Sequence, residues 1–399
     1  MPDRAFPLRV HDTLTKRKVR MDPSGKVGRR RGLTLYVCGI TPYDSGHMGH
    51  AFTFSIFDVL VRFVEANGQR IKYVQNVTDV DDPLLERARR DGIDWRDLAD
   101  RETKVHIRDM TALGWRPPDV MPRVSAEVDG ILRAATKLYR SGHGYQTDAL
   151  YFDVTTYPSY GRLSRLSRRS MIRKLRHEDL LGTVGPDAKR DALDFALWRG
   201  SGPGEPAWPS KFGDGRPGWH IECSVMAMRY LGEQIDIHGG GRDLQFSHHE
   251  SERAQSESLT GKAPFARAWM HTGLVRYEGH KMSKSLGNLV KVSQTLQRAP
   301  AAAVRLYLVS HRYSRDWEFT WDGLARAARL AERLRTFLAH DRSRDEAADP
   351  RLMAEFTAAL ADNLDTPRAV RAMRAALRQR DATAVRSMLD ILVGTASLT

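Results

Sequence analysis

The period of the hydrophobic and polar positions changes several times along the chain, and each change predicts an element. Leu33, Leu35, Tyr36 and Val37 form an apolar run of strand character that stops at Cys38-Gly39. From residue 51, AFTFSIFDVLVRFVEANG carries apolar residues at helical spacing and ends on Asn67-Gly68, a suitable C-cap. A second strand follows at 71–77. Strand, helix and strand in that order predict a parallel βαβ unit, because parallel neighbours need a crossover. Asp79-Val80-Asp81-Asp82-Pro83 predicts a capped helix with Pro83 in its first turn, and helical patterns continue to about Gly142. The parallel-sheet pattern resumes with a strand at 234–238 closed by Gly239-Gly240-Gly241, a helix at 243–260 and a strand at 269–275. Beyond Ser285 the pattern is almost wholly helical, interrupted by a polar linker at 340–350.

These shifts predict an α/β protein with a Rossmann-like parallel sheet. An arm at 1–32 leads into the first half of the catalytic domain at 33–142. An insertion at 143–215, rich in turns and short strands, roofs the site; the second half spans 216–290, and a small helical region spans 291–399. In such a sheet the carboxyl ends of the strands face the ligand crevice, and free N–H groups at a helix start attract phosphate. Function is therefore expected at the strand-to-helix turn that holds Cys38, His47 and His50, with Gly49 giving a nucleotide close access.

Composition narrows this picture only a little. The chain has 399 residues, 41% hydrophobic and 28% charged, as in ordinary globular proteins and unlike disordered ones. No stretch approaches the roughly 20 apolar residues of a membrane helix, and the first residues lack a signal-peptide run, so a cytoplasmic protein is expected. Two cysteines, Cys38 and Cys223, exclude a disulfide framework. The formal charge of +14 suits a polyanionic partner such as tRNA, but the arginines are spread along the whole chain and fit a solvated surface equally well.

Three groups of residues carry the chemistry. Activating a carboxylate with ATP builds negative charge on the α-phosphate and the departing pyrophosphate, so a site needs convergent donors. His47 and His50, within His47-Met48-Gly49-His50, sit one above the other at a helix start. Lys281 and Lys284, within Lys281-Met282-Ser283-Lys284-Ser285, lie on a loop flanked by Gly279 and Gly287 that can close over phosphates. Between them, Cys38, Cys223, His248, His249, Glu250 and Glu252 lie near crevice motifs. Two cysteines and a histidine suit tetrahedral zinc, and their wide spacing favours an open, substrate-binding position over a structural finger.

In this order the motifs resemble those of class I aminoacyl-tRNA synthetases. The runs Gly218-Trp219-His220-Ile221-Glu222-Cys223, Asp236-Ile237-His238-Gly239-Gly240-Gly241 and Phe246-Ser247-His248-His249-Glu250 are similar to its cysteine-activating branch. The resemblance implies zinc held by Cys38, Cys223 and His248, with Glu252 matching a fourth ligand of the synthetases and the substrate thiolate able to take that place. It implies Mg-ATP as co-substrate, Thr41, Thr78 and Trp219 around the cysteine moiety, and Gly39, Gly241 and Asp243 around the adenylate. A thiolate gains a zinc bond that serine's hydroxyl cannot match, so no editing domain is expected.

The branch has two kinds of member, one charging tRNA with cysteine and one joining cysteine to the amine of glucosaminyl-inositol on the mycothiol pathway. Ile40-Thr41-Pro42, the run from Asp81 to Ala88, the run from Gly92 to Leu98 and Asn363-Leu364-Asp365-Thr366-Pro367 resemble the second. His11-Asp12-Thr13-Leu14-Thr15, Tyr151-Phe152-Asp153-Val154 and Asp194-Phe195-Ala196-Leu197-Trp198 resemble the first, and Leu181-Gly182-Thr183-Val184-Gly185-Pro186 departs from the ligase pattern. The short stretch after Ser285, against the longer anticodon-binding tail of tRNA-charging members, favours the amino-sugar inositol. tRNA is the alternative acceptor, and a non-catalytic relative that has kept the fold is a third reading, opposed by the intact His47, His50, Lys281 and Lys284.

Overall fold

The computed structural model describes residues 8–28, 30–44, 46–177, 188–282, 287–341 and 347–394. Its central sheet is built from four parallel strands, Ala266–Thr272, Ile235–Gly241, Arg30–Ile40 and Ile71–Val77, in that spatial order. A short strand, Gly25–Val27, turns back antiparallel onto the start of Arg30–Ile40. The strands from the two halves of the sequence meet where Leu35, Tyr36 and Val37 pair with Ile237, His238 and Gly239. That junction is the point where the order of connections reverses, so the crevice beyond its carboxyl ends is the ligand-binding position of this architecture.

The helix Met48–Ala66 returns the chain from the first strand to the second and buries Phe52, Ile56, Phe57, Leu60 and Val64 under the sheet. Asn67 caps it and Gly68 follows at a φ of 72°, as the sequence predicts. Asp81 caps the helix Asp82–Asp91, with Pro83 in the first turn. The insertion contributes a four-stranded antiparallel sheet, Gly144–Gln146, Leu150–Phe152, Phe195–Gly200 and Gly215–Pro217. Towards the C-terminus the helices Ala301–Val309, Trp321–His340, Pro350–Ala361, Thr366–Gln379 and Ala382–Leu392 share one hydrophobic core with Met48–Ala66.

Two predicted boundaries move. The strand Ile235–Gly241 runs through the three glycines that the sequence suggests as its closing turn. A Cβ at Gly239 would lie 2.2 Å from the Phe57 ring, and one at Gly240 2.9 Å from His249, so these glycines permit close packing on an extended strand. The helix predicted from Asp243 is a 3-10 turn at Arg242–Gln245 followed by the helix His248–Thr260. No helix among the described residues is long and apolar enough to cross a membrane.

Candidate active site

The strand Arg30–Ile40 delivers Cys38 to the crevice through an irregularity in its pairing with Ile71–Val77 between Val37 and Ile40. At that irregularity the Gly39 N–H donates to Asn76 Oδ1 at 2.9 Å, and a Cβ on residue 39 would fall 1.7 Å from the Asn76 carbonyl oxygen. Gly39 is thus needed by the sheet itself. Asn76 also donates to Thr78 Oγ1 at 3.0 Å, placing Thr78 on the same rim.

His47 caps the helix Met48–Ala66: its Nδ1 accepts from the backbone N–H groups of Gly49 at 3.1 Å and His50 at 3.4 Å. An accepting Nδ1 puts the neutral ring's proton on Nε2. The His47 and His50 rings stack with centroids 3.9 Å apart. This corrects the expectation that backbone N–H groups here receive phosphate. The N–H groups of Met48, Gly49, His50 and Ala51 are engaged by Val290 O, by His47 Nδ1 twice, and by His47 O. Gly49 makes room for the His47 ring, since a Cβ there would lie 2.9 Å from Cε1.

Below the histidines, the ligating atoms of Cys38, Cys223, His248 and Glu252 all lie within 4.8 Å of one another, fully buried. His248 and Glu252 are one helical turn apart on His248–Thr260, and Cys223 comes from the facing helix Trp219–Leu231. A second set, Cys38, His238, His249 and Glu252, meets the same distance limit and shares Cys38 and Glu252 with the first. Glu250 stands apart, accepting from the Ser164 N–H at 2.7 Å.

The electrostatics of this pocket suit a divalent cation. Burial, then the hydrogen bond and charge of Cys223, then Glu252, push the Cys38 thiol well above its usual range. Burial pulls His248 down to about 3, leaving the neutral imidazole that metal ligation requires. Burial opposes ionisation of Glu252 as well, but the adjacent His238 and His248 outweigh it and hold the carboxyl below its usual value. Two thiols, a neutral imidazole and a carboxylate crowded without solvent form a set that zinc fits.

A cavity of about 330 Å³ opens above this cluster. Its wall includes Cys38, Gly39, Thr41, His47, His50, Thr78, Trp219, Cys223, Gly241, Asp243, His248 and Lys281. The Trp219 ring stacks on His248 at 4.3 Å. Lys281 Nζ pairs with Asp243 Oδ2 at 3.1 Å. Burial opposes the charge on Asp243, but Lys281 prevails and keeps its pKa low.

The whole constellation matches the family model described as tRNA synthetases class I (C) catalytic domain over residues 25–329. The chain is 44% identical to the L-cysteine:1D-myo-inositol 2-amino-2-deoxy-alpha-D-glucopyranoside ligase of Thermobispora bispora, across 99% of this chain and 97% of that one. It is 47% identical to the protein of the same name from Frankia casuarinae, across 94% of this chain and 79% of that one. The chain belongs to this ligase family. It is an ATP-dependent ligase on the class I aminoacyl-tRNA synthetase fold. The same fold is found in Mycobacterium tuberculosis methionyl-tRNA synthetase in complex with methionyl-adenylate, with a TM-score of 0.66 at 14% identity over 91% of this chain and 92% of that one.

For this member of the ligase family, the structure brings together the residues singled out from the sequence with two exceptions: Glu250 turns to Ser164 instead of the cluster, and Lys284 lies outside the described residues, as does the 181–186 stretch. Sequence reasoning missed His238, whose Nε2 lies 2.9 Å from Glu252 Oε2, and His271, whose Nε2 lies 2.8 Å from His249 Nδ1. The signal for His238 was its place immediately before the glycine run. His271 sits in a strand with nothing local to distinguish it.

Proposed function

We propose that the ligase activates L-cysteine with Mg-ATP and transfers the cysteinyl group to the amine of glucosaminyl-inositol, a step of mycothiol synthesis. The observation that carries this reading is the thiol-selective set Cys38, Cys223, His248 and Glu252 at the floor of the cavity that also holds His47, His50 and Lys281. The acceptor is that of the related ligases of Thermobispora bispora and Frankia casuarinae. Cys38, Cys223 and His248, with Glu252 in reach, would hold zinc, which would supply a soft Lewis-acid contact for the substrate thiolate that a serine hydroxyl cannot equal.

Thr41, Thr78 and Trp219 surround the cysteine moiety. A carboxylate oxygen of cysteine attacks the α-phosphorus, forming one P–O bond as the bond to pyrophosphate breaks. His47, from Nε2, and His50 donate to the α-phosphate, while Lys281 and Lys284 draw the charge of the β- and γ-phosphates. Lys281 exchanges its pairing with Asp243 for phosphate, which leaves Asp243 to the adenosine. The acceptor's ammonium gives up a proton, and the neutral amine attacks the carbonyl carbon; the C–N bond forms as the C–O bond to AMP breaks, and the nitrogen's second proton passes to solvent as the amide forms.

The test is to supply cysteine and Mg-ATP with either glucosaminyl-inositol or tRNA. Formation of the amide and AMP with the amino sugar is expected. Cysteinylation of tRNA alone would overturn the proposal in favour of the tRNA-charging alternative.

A further inference from the structure

A second cavity, of about 660 Å³, adjoins the first and shares Thr41, Tyr43 and Trp219 with it. It is closed on the far side by residues of the insertion, including Asp148, Tyr151, Lys189 and Phe195. Its size falls in the usual range for small-ligand sites. The lining mixes aromatic faces with carboxylates and hydroxyls, the combination that receives a polyhydroxylated molecule with its apolar C–H faces and polar edges. Ser247 lines it too; its side chain is buried, and Oγ has no hydrogen-bond partner among the described residues.

Two adjacent carboxylates in this cavity differ in how their charge is met. Asp82 is gripped by Arg199 through two contacts at 2.7 and 2.6 Å and by Arg216. Burial opposes its ionisation, but the two guanidinium groups keep its pKa below the usual value. Asp81 has no lysine or arginine within ion-pair distance among the described residues. Its Oδ1 accepts the Asp82 N–H at 2.9 Å, and its Oδ2 lies 3.4 Å from the Thr41 hydroxyl, at the junction of the two cavities. Burial, then the neighbouring Asp82, raise it to about 6 against the weaker opposing pull of the Asp82 N–H and of Arg216 and Arg199, which are engaged with Asp82. A carboxylate on a cavity wall without a cation of its own is well placed to be completed by a cationic ligand.

We propose that the second cavity is the acceptor subsite and that Asp81 is a specificity-determining residue that holds the ammonium group of the incoming amine beside the adenylate carbonyl. This rests on the amino-sugar reading above and deepens it. A ribose hydroxyl, the nucleophile of tRNA, brings no positive charge to Asp81, so the arrangement selects amines.

The experiment compares wild type with Asp81→Asn, which keeps the acceptor oxygen that caps the helix Asp82–Asp91. The KM for glucosaminyl-inositol is expected to rise at least about tenfold, as for loss of one charged hydrogen bond. The KM for cysteine in pyrophosphate exchange is expected to move less than about twofold. The analogue with a hydroxyl in place of the amine should inhibit wild type and variant alike. An unchanged acceptor KM, or equal rises in the acceptor and cysteine KM values, overturns the assignment of Asp81. Absence of any amide product in wild type overturns the underlying reading, and this proposal with it.

Discussion

Arg305 donates to the carboxylate of Asp58 where neither side chain has any solvent exposure. Asp58 belongs to the helix that begins with the histidine motif, and Arg305 to Ala301–Val309; Arg305 also reaches the Leu392 carbonyl at 3.1 Å. The helix Met48–Ala66 is thus clamped to the C-terminal helices through a charge that water cannot reach. Asp58→Asn should lower the unfolding free energy by about 3–5 kcal/mol, because Arg305 is left buried without a countercharge, and Arg305→Met should cost less, because Asp58 keeps Arg62 at 3.0 Å and the Arg116 N–H at 2.7 Å. The double variant should lose less than the sum, which denaturant titration of all four proteins measures.

His47 is both a helix cap and a proposed phosphate donor, and two substitutions separate the roles. His47→Ala should cost about 1 kcal/mol of stability together with activity. His47→Asn restores an acceptor for the Gly49 and His50 N–H groups and so should keep stability, yet still lose about 100-fold or more in pyrophosphate exchange. Equal exchange rates in His47→Asn and wild type would reduce the residue to its cap.

Cys223→Ser replaces a soft donor in the buried cluster with a hard one. Zinc content, measured on protein purified without chelator, is expected to fall with cysteine-dependent pyrophosphate exchange, the latter by about 100-fold or more. Full exchange activity in the variant would remove the metal from the mechanism.

His106 packs edge-on against Phe54 and Trp115, with ring centroids 5.2 and 5.9 Å away, and neither ring nitrogen has a partner among the described residues. Burial alone lowers its pKa from 6.5 to about 4. Because the folded protein resists protonation there, this group's contribution is complete above pH 6.5 and is lost as the pH falls towards 4. The loss is on the order of 3 kcal/mol. His106→Phe should therefore be less acid-sensitive than wild type across that window, as compared by denaturant midpoints.

Much of this site could be read in one dimension because its parts are local. The cap on Met48–Ala66, the strand Ile71–Val77 and the Asp81 cap were each specified within a few residues. What escaped depends on contacts between distant segments. The glycines at 239–241 look like a turn until Phe57 and His249 are seen packed against them. The N–H groups at the start of Met48–Ala66 look open to phosphate until His47 Nδ1 and the Val290 carbonyl are found on them. His271 and Arg305 sit in apolar surroundings whose composition gives no hint of the polar atoms they meet.

Cys38 and Glu252 touch across 214 positions of sequence, one at the end of the first strand of the sheet's first half and the other on a helix of the second. Neither half alone contains the pocket that would distinguish a thiol from a hydroxyl. During synthesis, that selectivity would come into being only once the later strand has docked beside the earlier one. On the proposed function, a partly made or half-unfolded chain would have no means of activating the wrong amino acid, because the floor formed by Cys38, Cys223, His248 and Glu252 is completed only by that docking.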